Sequence, residues 1–277
     1  MLLDYIIWNP NPEIFTIPLI NWPLKWYGVT WLLGFLLSQQ VMFHFFKKDN
    51  KPIQDVESLT IYIFISSILG ARFGHFLFYE PYAFIENPLQ IILPPYAGLA
   101  SHGGAIGILT GLFLFCKNKN YNYLWMLDRL VIVVALTGGF IRMGNLINSE
   151  ITGKPTDLPW AFIFKQVDNI PRHPGQLYEA LFCFMLFVIL FFIWKNKRNA
   201  MYNGMIFGIF LIALFGQRFL VEFVKENQES FEDSLSLNMG QILSIPLVLT
   251  GFYVLYYSFR KKERRSTFKD EEKSVTT

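Results

Sequence analysis

The stretch that decides the fold is residues 127–147, which read LDRLVIVVALTGGFIRMGNLI. At about 1.5 Å per residue, a helix of this length crosses the roughly 30 Å of hydrocarbon in a bilayer. Arg142 lies inside this run. A guanidinium at the centre of a membrane helix costs roughly 2.5–3.5 kcal/mol on insertion scales, because it cannot lose its charge. The stretch therefore predicts a membrane helix whose arginine needs a negatively charged partner.

The rest of the chain repeats this pattern. Hydrophobic residues make up 53% of the 277 residues and charged residues only 16%, where a soluble domain has about a quarter charged. A soluble helical core would need polar faces that these runs lack. We predict an all-α integral membrane protein whose seven transmembrane helices form a single domain over residues 1–259. The predicted spans are about 26–46, 58–79, 97–116, 127–147, 176–194, 201–224 and 240–259.

Basic residues between the spans predict the orientation. Fifteen lie in residues 47–57, 117–126, 195–200 and 260–277, whereas the opposite set carries Lys154, Lys165, Arg172 and Lys225, with no basic residue before Lys25. Since cytoplasmic loops are enriched in lysine and arginine, we place the N-terminus outside and the C-terminus in the cytoplasm. The tail 260–277 mixes basic and acidic residues, and we expect it to be disordered.

The first residues lack the pattern of a cleavable signal peptide. Residues 1–25 lack a basic start and contain four prolines, so we expect a segment lying on the outer membrane surface, with Trp8 and Trp22 as headgroup-level anchors. Residues 148–175 form the long outer loop. Four histidines without ligand spacing predict no metal site. Cys116 and Cys183 lie in apolar runs, which favours a structural role. We expect no cofactor and no nucleic-acid partner.

Polar residues gather on the outer side of the predicted spans. Spans two, four and six run outward, which places Arg72, Arg142 and Arg218 roughly 8–10 Å below the outer interface. His102 enters span three at a similar depth. The outer ends of the remaining spans also carry polar residues, namely Tyr27, Tyr178, Glu179 and Gln241. This segregation predicts a site that opens outward.

The densest polar stretch is residues 138–150. Arg142, Asn145 and Asn148 share one helix face, where the amides can bind a phosphate ester or orient the guanidinium. A helix end that frays into water would explain Asn148 and Glu150. It would not explain Arg142, which lies deeper, so we favour a functional site.

Two other polar groups have competing interpretations. Arg218 and Glu222 are four residues apart, so they form either a structural ion pair or part of the site. His102 can accept a proton, or it can make an ordinary hydrogen bond between helices. Arg72 has no acidic residue three or four positions away, and therefore needs a more distant counter-charge.

These residues give the chain a family resemblance over roughly residues 15–258. The chain resembles the prolipoprotein diacylglyceryl transferases. The matching motifs, in order, are Trp26-Tyr27-Gly28, Gly70-Ala71-Arg72-Phe73-Gly74, His102-Gly103-Gly104, Arg142-x-Gly144-Asn145-x-x-Asn148-x-Glu150-x-x-Gly153, His173-Pro174-x-Gln176-Leu177-Tyr178-Glu179, Arg218-Phe219-x-x-Glu222 and Gly240-Gln241. Ser149 departs from the family pattern, which usually has glycine there.

The resemblance implies a reaction. The diacylglyceryl group of phosphatidylglycerol would pass to the lipobox cysteine thiol next to the signal peptide of a prolipoprotein, forming a thioether and releasing glycerol phosphate. It further implies a multi-pass protein of the bacterial cytoplasmic (inner) membrane with its site facing the outer leaflet. His102, Arg142 and Arg218 would be catalytic. Arg142, Arg72, Tyr27, Asn145 and Glu150 would bind substrate, and Gly153, Glu222, His173 and Tyr178 would support them, with Gly153 in a tight turn.

Two other functions share these features. A transporter of an anionic substrate could use charges inside the membrane, although such charges usually line a path through both halves of the bilayer. A non-catalytic protein that binds phospholipid or signal peptides would share the arginines. Both alternatives stay open at the level of the sequence.

Overall fold

The computed structural model describes residues 5–18, 21–82, 98, 100–226 and 235–261. Most of these residues are helical. The tail beyond residue 261, most of the predicted outer loop at 80–96 and the first four residues lie outside the described residues. Within these ranges the seven long helices are α1 (Trp26–Lys48), α2 (Gln54–Phe78), α3 (Ser101–Lys119), α4 (Tyr123–Ile147), α5 (Gly175–Lys197), α6 (Met205–Val221) and α7 (Met239–Lys261).

Five of the helices are long and apolar enough to cross a membrane: α1, α2, α4, α5 and α7. Helix α6 is apolar but has only 17 residues. Helix α3 has 19 residues and is polar at both ends, from Ser101-His102 to Lys117-Asn118-Lys119. The prediction of a mostly helical membrane protein is therefore confirmed, with five candidate spans among the seven helices. Seven crossings and their orientation stay a prediction.

The chain forms two compact units. The first, Met1–Val41 with Leu127–Thr277, contains most of α1 and α4 and all of α5, α6 and α7. Asp128 of α4 fixes where α6 begins, because its carboxylate accepts hydrogen bonds from the backbone N–H of Gly204 and Phe207 at 2.8 and 2.9 Å. A cap of this kind satisfies backbone donors that the helix cannot.

The second unit, Met42–Met126, contains α2 and α3. These helices pack through their glycines. A Cβ atom on Gly74 would lie 2.7 Å from Cα of Gly103, and one on Gly107 would lie 3.1 Å from Cα of Gly70. Larger side chains would separate the backbones. The single domain predicted over residues 1–259 stays a prediction.

Short strands lie outside the helices, and the all-α prediction missed them. They are β1 (Ile6–Trp8), β2 (Glu13–Ile17), β3 (Trp22–Lys25), β4 (Phe162–Phe164) and β5 (Pro171–Arg172). Strand β1 pairs parallel to β4, β4 pairs antiparallel to β5, and β2 and β3 form a hairpin.

Strand β1 therefore ties the segment before α1 to the outer loop in the first unit. Trp8 donates a 2.8 Å hydrogen bond to the carbonyl of Leu146 at the end of α4. Leu146 packs in a small buried cluster with Phe162 and Phe164 of β4. Because three-residue strands carry almost no periodic signal, the sequence could not distinguish this sheet from irregular loop.

Candidate active site

Five helix ends meet in the first unit: the beginnings of α1, α5 and α7 and the ends of α4 and α6. Contacts join them directly. A Cβ on Gly144 of α4 would lie 2.8 Å from the Tyr27 ring of α1. Gln241 of α7 donates a 3.4 Å hydrogen bond to the carbonyl of Phe219 in α6. Of the polar ends that the sequence assigned to one side, those of these five helices therefore come together within this unit.

Five charged side chains form a chain of ion pairs across these ends. Nε of Arg142 lies 3.0 Å from one carboxylate oxygen of Glu179. The other oxygen of Glu179 lies 3.6 Å from Nζ of Lys225. Lys225 also donates a 2.9 Å hydrogen bond to Glu222, which lies 3.8 Å from Nε of Arg218. We call this set the ion-pair chain. Its charges alternate in sign, and an arginine stands at each end.

The middle of the ion-pair chain is buried and its ends are open. The side chains of Lys225 and Glu179 are 2% and 5% exposed. In contrast, Arg142 is 24% exposed and Arg218 is 40% exposed. Buried charges are tolerated only when they are paired, which accounts for the middle members. The two partly exposed guanidiniums keep N–H donors that an anion can reach, in the planar fork that suits phosphate oxygens.

The structure supplies a negative partner for Arg142 from within the protein, namely Glu179. That pairing is incomplete: among the described residues, the Glu179 oxygen nearest Arg142 accepts no hydrogen bond, because the contact has the distance but not the angles of one. Nε of Arg218 also has no hydrogen-bond partner there. Its ion pair with Glu222, one of the two alternatives, is present.

A second network holds Glu150 beside Arg142. Asn145 donates a 2.9 Å hydrogen bond to the Glu150 carboxylate, and Asn148 donates one of 3.0 Å. Arg142 approaches Asn145 at 3.5 Å. The buried side chain of Gln176 donates to the backbone carbonyl of Glu150. Of the residues that share a face in the sequence pattern, Arg142 and Asn145 therefore contact each other, and Asn145 and Asn148 both bind Glu150, which is oriented by amides instead of cations.

Gly153 lies where three segments cross. It forms an isolated antiparallel bridge with Lys225. A Cβ atom there would lie 2.6 Å from the backbone oxygen of His173 and 2.8 Å from that of Val224. Glycine is required here by the close approach of backbones and not by a left-handed conformation of Gly153 itself.

The outer loop carries His173 in a short hydrogen-bonded series. Trp160 donates to the Tyr178 hydroxyl at 2.9 Å, and that hydroxyl lies 3.3 Å from Nδ1 of His173. Partial burial lowers the pKa of His173. The loop is also held by Arg172, whose hydrogen bonds to Asp168 lower the pKa of that carboxyl. These residues fix the loop next to the beginning of α5.

Arg72 and His102 belong to the second unit and are described within it. Arg72 is buried, donates a 3.2 Å hydrogen bond to the carbonyl of Gly98 and lies 4.9 Å from the centroid of the Phe76 ring. His102 is the second residue of α3, and its side chain is exposed. Among the described residues, no group of three or more His, Cys, Asp or Glu side chains could hold a metal ion.

Sequence reasoning left three members of the site without a role: Glu179, Lys225 and Gln176. A signal was available for the first two. Glu179 is a carboxylate in the first turns of an apolar helix, and Lys225 follows directly on an apolar run. A charged side chain in or beside an apolar run needs a partner when it is buried, and this applies to both residues as it does to the arginines. The contact of Gln176 with a backbone carbonyl needed the folded chain.

The fold and the site together define a helical membrane protein that presents paired arginines at clustered helix ends. A model of the prolipoprotein diacylglyceryl transferase family matches residues 12–257. The chain belongs to this family.

Relatives with the same family function cover nearly the whole chain. The phosphatidylglycerol–prolipoprotein diacylglyceryl transferase of Bacteroides fragilis is 42% identical over 273 residues, and the match covers 94% of this chain and 98% of the relative. The protein of that name from Tolumonas auensis is 40% identical over 260 residues, covering 94% and 100%. The one from Chloroherpeton thalassium is 39% identical over 265 residues, covering 95% and 98%.

Proposed function

We propose that this protein transfers the diacylglyceryl group of phosphatidylglycerol to the lipobox cysteine of prolipoproteins. The ion-pair chain is the observation that carries the proposal. It presents two partly exposed arginines from α4 and α6, joined by buried partners, at one cluster of helix ends. A glycerol phosphate headgroup is an anion that such a pair suits, since arginine binds phosphate oxygens bidentately.

The reaction needs charge stabilisation more than a protein nucleophile. The substrate thiolate attacks the glyceryl carbon, a C–S bond forms, the C–O bond to phosphate breaks, and the electron pair leaves with glycerol phosphate. Arg142 and Arg218 stabilise the charge that grows on the departing phosphate, and Arg142 also binds it in the ground state. The two cysteines of the chain are buried, which agrees with the sulfur coming from the prolipoprotein.

The remaining roles follow the family resemblance. His102 takes the thiol proton, or it positions the headgroup while the arginines favour thiolate; a thiol with pKa about 8.5 needs only modest help near neutral pH. Tyr27, Asn145, Glu150 and Arg72 bind or orient the lipid. The contacts of Asn145 with both Arg142 and Glu150 support the positioning role.

We place the protein in the bacterial cytoplasmic (inner) membrane with seven crossings, the N-terminus outside and the site facing the outer leaflet. Helices α1, α3, α5 and α7 each carry two basic residues in the last turn, which is the arrangement expected of cytoplasmic ends. The partners are then phosphatidylglycerol and the signal peptide with its lipobox cysteine.

An activity assay tests the proposal. The purified full chain, in vesicles containing phosphatidylglycerol, is given a lipobox peptide, and mass spectrometry follows the mass of one diacylglyceryl group on the cysteine. A thioether product supports the transferase. Binding of lipid or peptide with no modified thiol would instead favour a binding protein, and movement of an anion across the vesicle would favour a transporter.

A further inference from the structure

The unexplained feature of the site is a buried lysine. Lys225 is 2% exposed, follows the end of α6 and contacts the carboxylates of both Glu179 and Glu222. We infer that Lys225 is a positioning residue of the transfer reaction. It holds the two carboxylates so that Arg142 and Arg218 remain available to the lipid phosphate. This inference rests on the proposed function and deepens it.

The charge balance of the site shows why a third cation is needed. The first unit brings together three carboxylates, those of Glu150, Glu179 and Glu222. Arg142 and Arg218 alone would be outnumbered, and a site of net negative charge would repel a phosphate. With Lys225 the charges balance. Each added phosphate charge then meets guanidiniums that are not fully committed to a carboxylate.

The geometry gives Lys225 the stronger claim on Glu222. Its Nζ lies 2.9 Å from the same Glu222 oxygen that lies 3.8 Å from Arg218. Asn238 donates to the other oxygen of Glu222 at 3.2 Å. The carboxylate is therefore satisfied mainly by Lys225 and Asn238, and Arg218 makes only the longer contact. Without the lysine, the nearest cation able to neutralise Glu222 is Arg218 itself.

The fold fixes the position of this lysine from several sides. Its backbone forms the bridge with Gly153 of the outer loop. A Cβ atom on Gly175, at the start of α5, would lie 3.3 Å from Cγ of Lys225, so the stem passes directly over that backbone. A flexible side chain held in this way loses rotamer freedom before it binds its partners, which makes the ion-pair chain preorganised for an anion.

The test replaces the charge and keeps the stem. In the vesicle assay, Lys225→Met is expected to raise the KM for phosphatidylglycerol about tenfold or more, because leaving buried carboxylates short of a cation draws the arginines away from the lipid. Lys225→Arg, which restores a cation, is expected to recover part of the affinity. The matched control is Lys154→Met, since Lys154 is exposed on the outer loop and donates to the carbonyl of Phe223; it should change KM less than about twofold.

A double variant distinguishes charge from mere stability. Once Glu222→Gln removes the carboxylate that Lys225 mainly serves, adding Lys225→Met should lower activity by no more than about threefold relative to Glu222→Gln alone. This comparison holds even if Lys225→Met alone fails to fold. A tenfold further loss in the double variant would overturn the inference, and so would a wild-type KM in Lys225→Met. Absence of thioether from the wild-type protein would contradict the proposed function instead.

Discussion

At the residue scale, the side chain of Arg142 contacts two different acceptors. It forms an ion pair with Glu179 through Nε and approaches Asn145 through a terminal nitrogen, and it is still partly exposed. A guanidinium can serve several acceptors in fixed directions, whereas a lysine ammonium is a point charge. The geometry therefore selects arginine and not positive charge alone.

We predict that Arg142→Lys lowers turnover by about 100-fold or more while the protein still inserts, since losing one fixed donor to a developing anion typically costs that much. Turnover is measured by thioether formation, and insertion by the amount of protein in washed membranes. The exposed Lys165→Arg, a swap in the reverse direction on the outer loop, should leave both unchanged. Near-normal turnover of Arg142→Lys would remove phosphate binding by this residue from the mechanism.

His102 is the catalytic assignment that depends most on the family resemblance. A glutamine side chain can form hydrogen bonds but cannot accept a proton near neutral pH. If His102 is the base, His102→Gln should lose about 100-fold at neutral pH, and its remaining rate should rise with pH as the thiol ionises by itself near pKa 8.5.

The pH profile separates the two roles of His102. A largely retained rate with an unchanged profile would make His102 a positioning group for the headgroup. His44→Gln is the control, because His44 is also an exposed histidine on a long helix but lies near the cytoplasmic end predicted for α1; its profile should match that of the wild-type protein.

At the element scale, the lengths of the apolar runs predicted which segments are helical better than they predicted where each helix begins and ends. The prediction placed span six at about 201–224, whereas α6 runs from Met205 to Val221. Asp128 caps its first turn from another helix, and after Val221 the chain turns to bridge Gly153. Both limits come from tertiary contacts that no local pattern encodes. The same reason explains why Lys225 was counted as a loop charge in the sequence.

The cap of α6 makes a testable prediction about stability. Asp128→Ala removes the acceptor for two backbone N–H groups in a buried position, so we expect the free energy of unfolding in detergent to fall by about 1–3 kcal/mol. Asp128→Asn keeps one acceptor and should lose less. Asn122→Ala is the control, because Asn122 is an exposed residue that caps a single backbone N–H, that of Trp125. An equal loss in both alanine variants would show that burial adds nothing to the cap.

At the scale of the whole molecule, basic residues are concentrated at one set of helix ends. The last turns of α1, α3, α5 and α7 are basic. The ion-pair chain of the first unit, in contrast, lies at the ends of α4 and α6 and the beginning of α5. The sequence alone predicted this segregation, because it depends only on the order of spans and the positions of Lys and Arg. It did not predict the pairing of Arg142 with Glu179, which requires two helices to pack in a particular rotation.

The orientation can be tested by accessibility of single cysteines, because both native cysteines are buried and should give little background labelling. Asp157, in the outer loop, and Asn199, between α5 and α6, are both exposed. We predict that Asp157→Cys reacts with a membrane-impermeant maleimide in intact spheroplasts and that Asn199→Cys reacts only after permeabilisation. A Cys116→Ser, Cys183→Ser parent serves as the blank. Labelling in the opposite order would place the arginines on the cytoplasmic side, where they could not act on a signal peptide emerging at the outer leaflet.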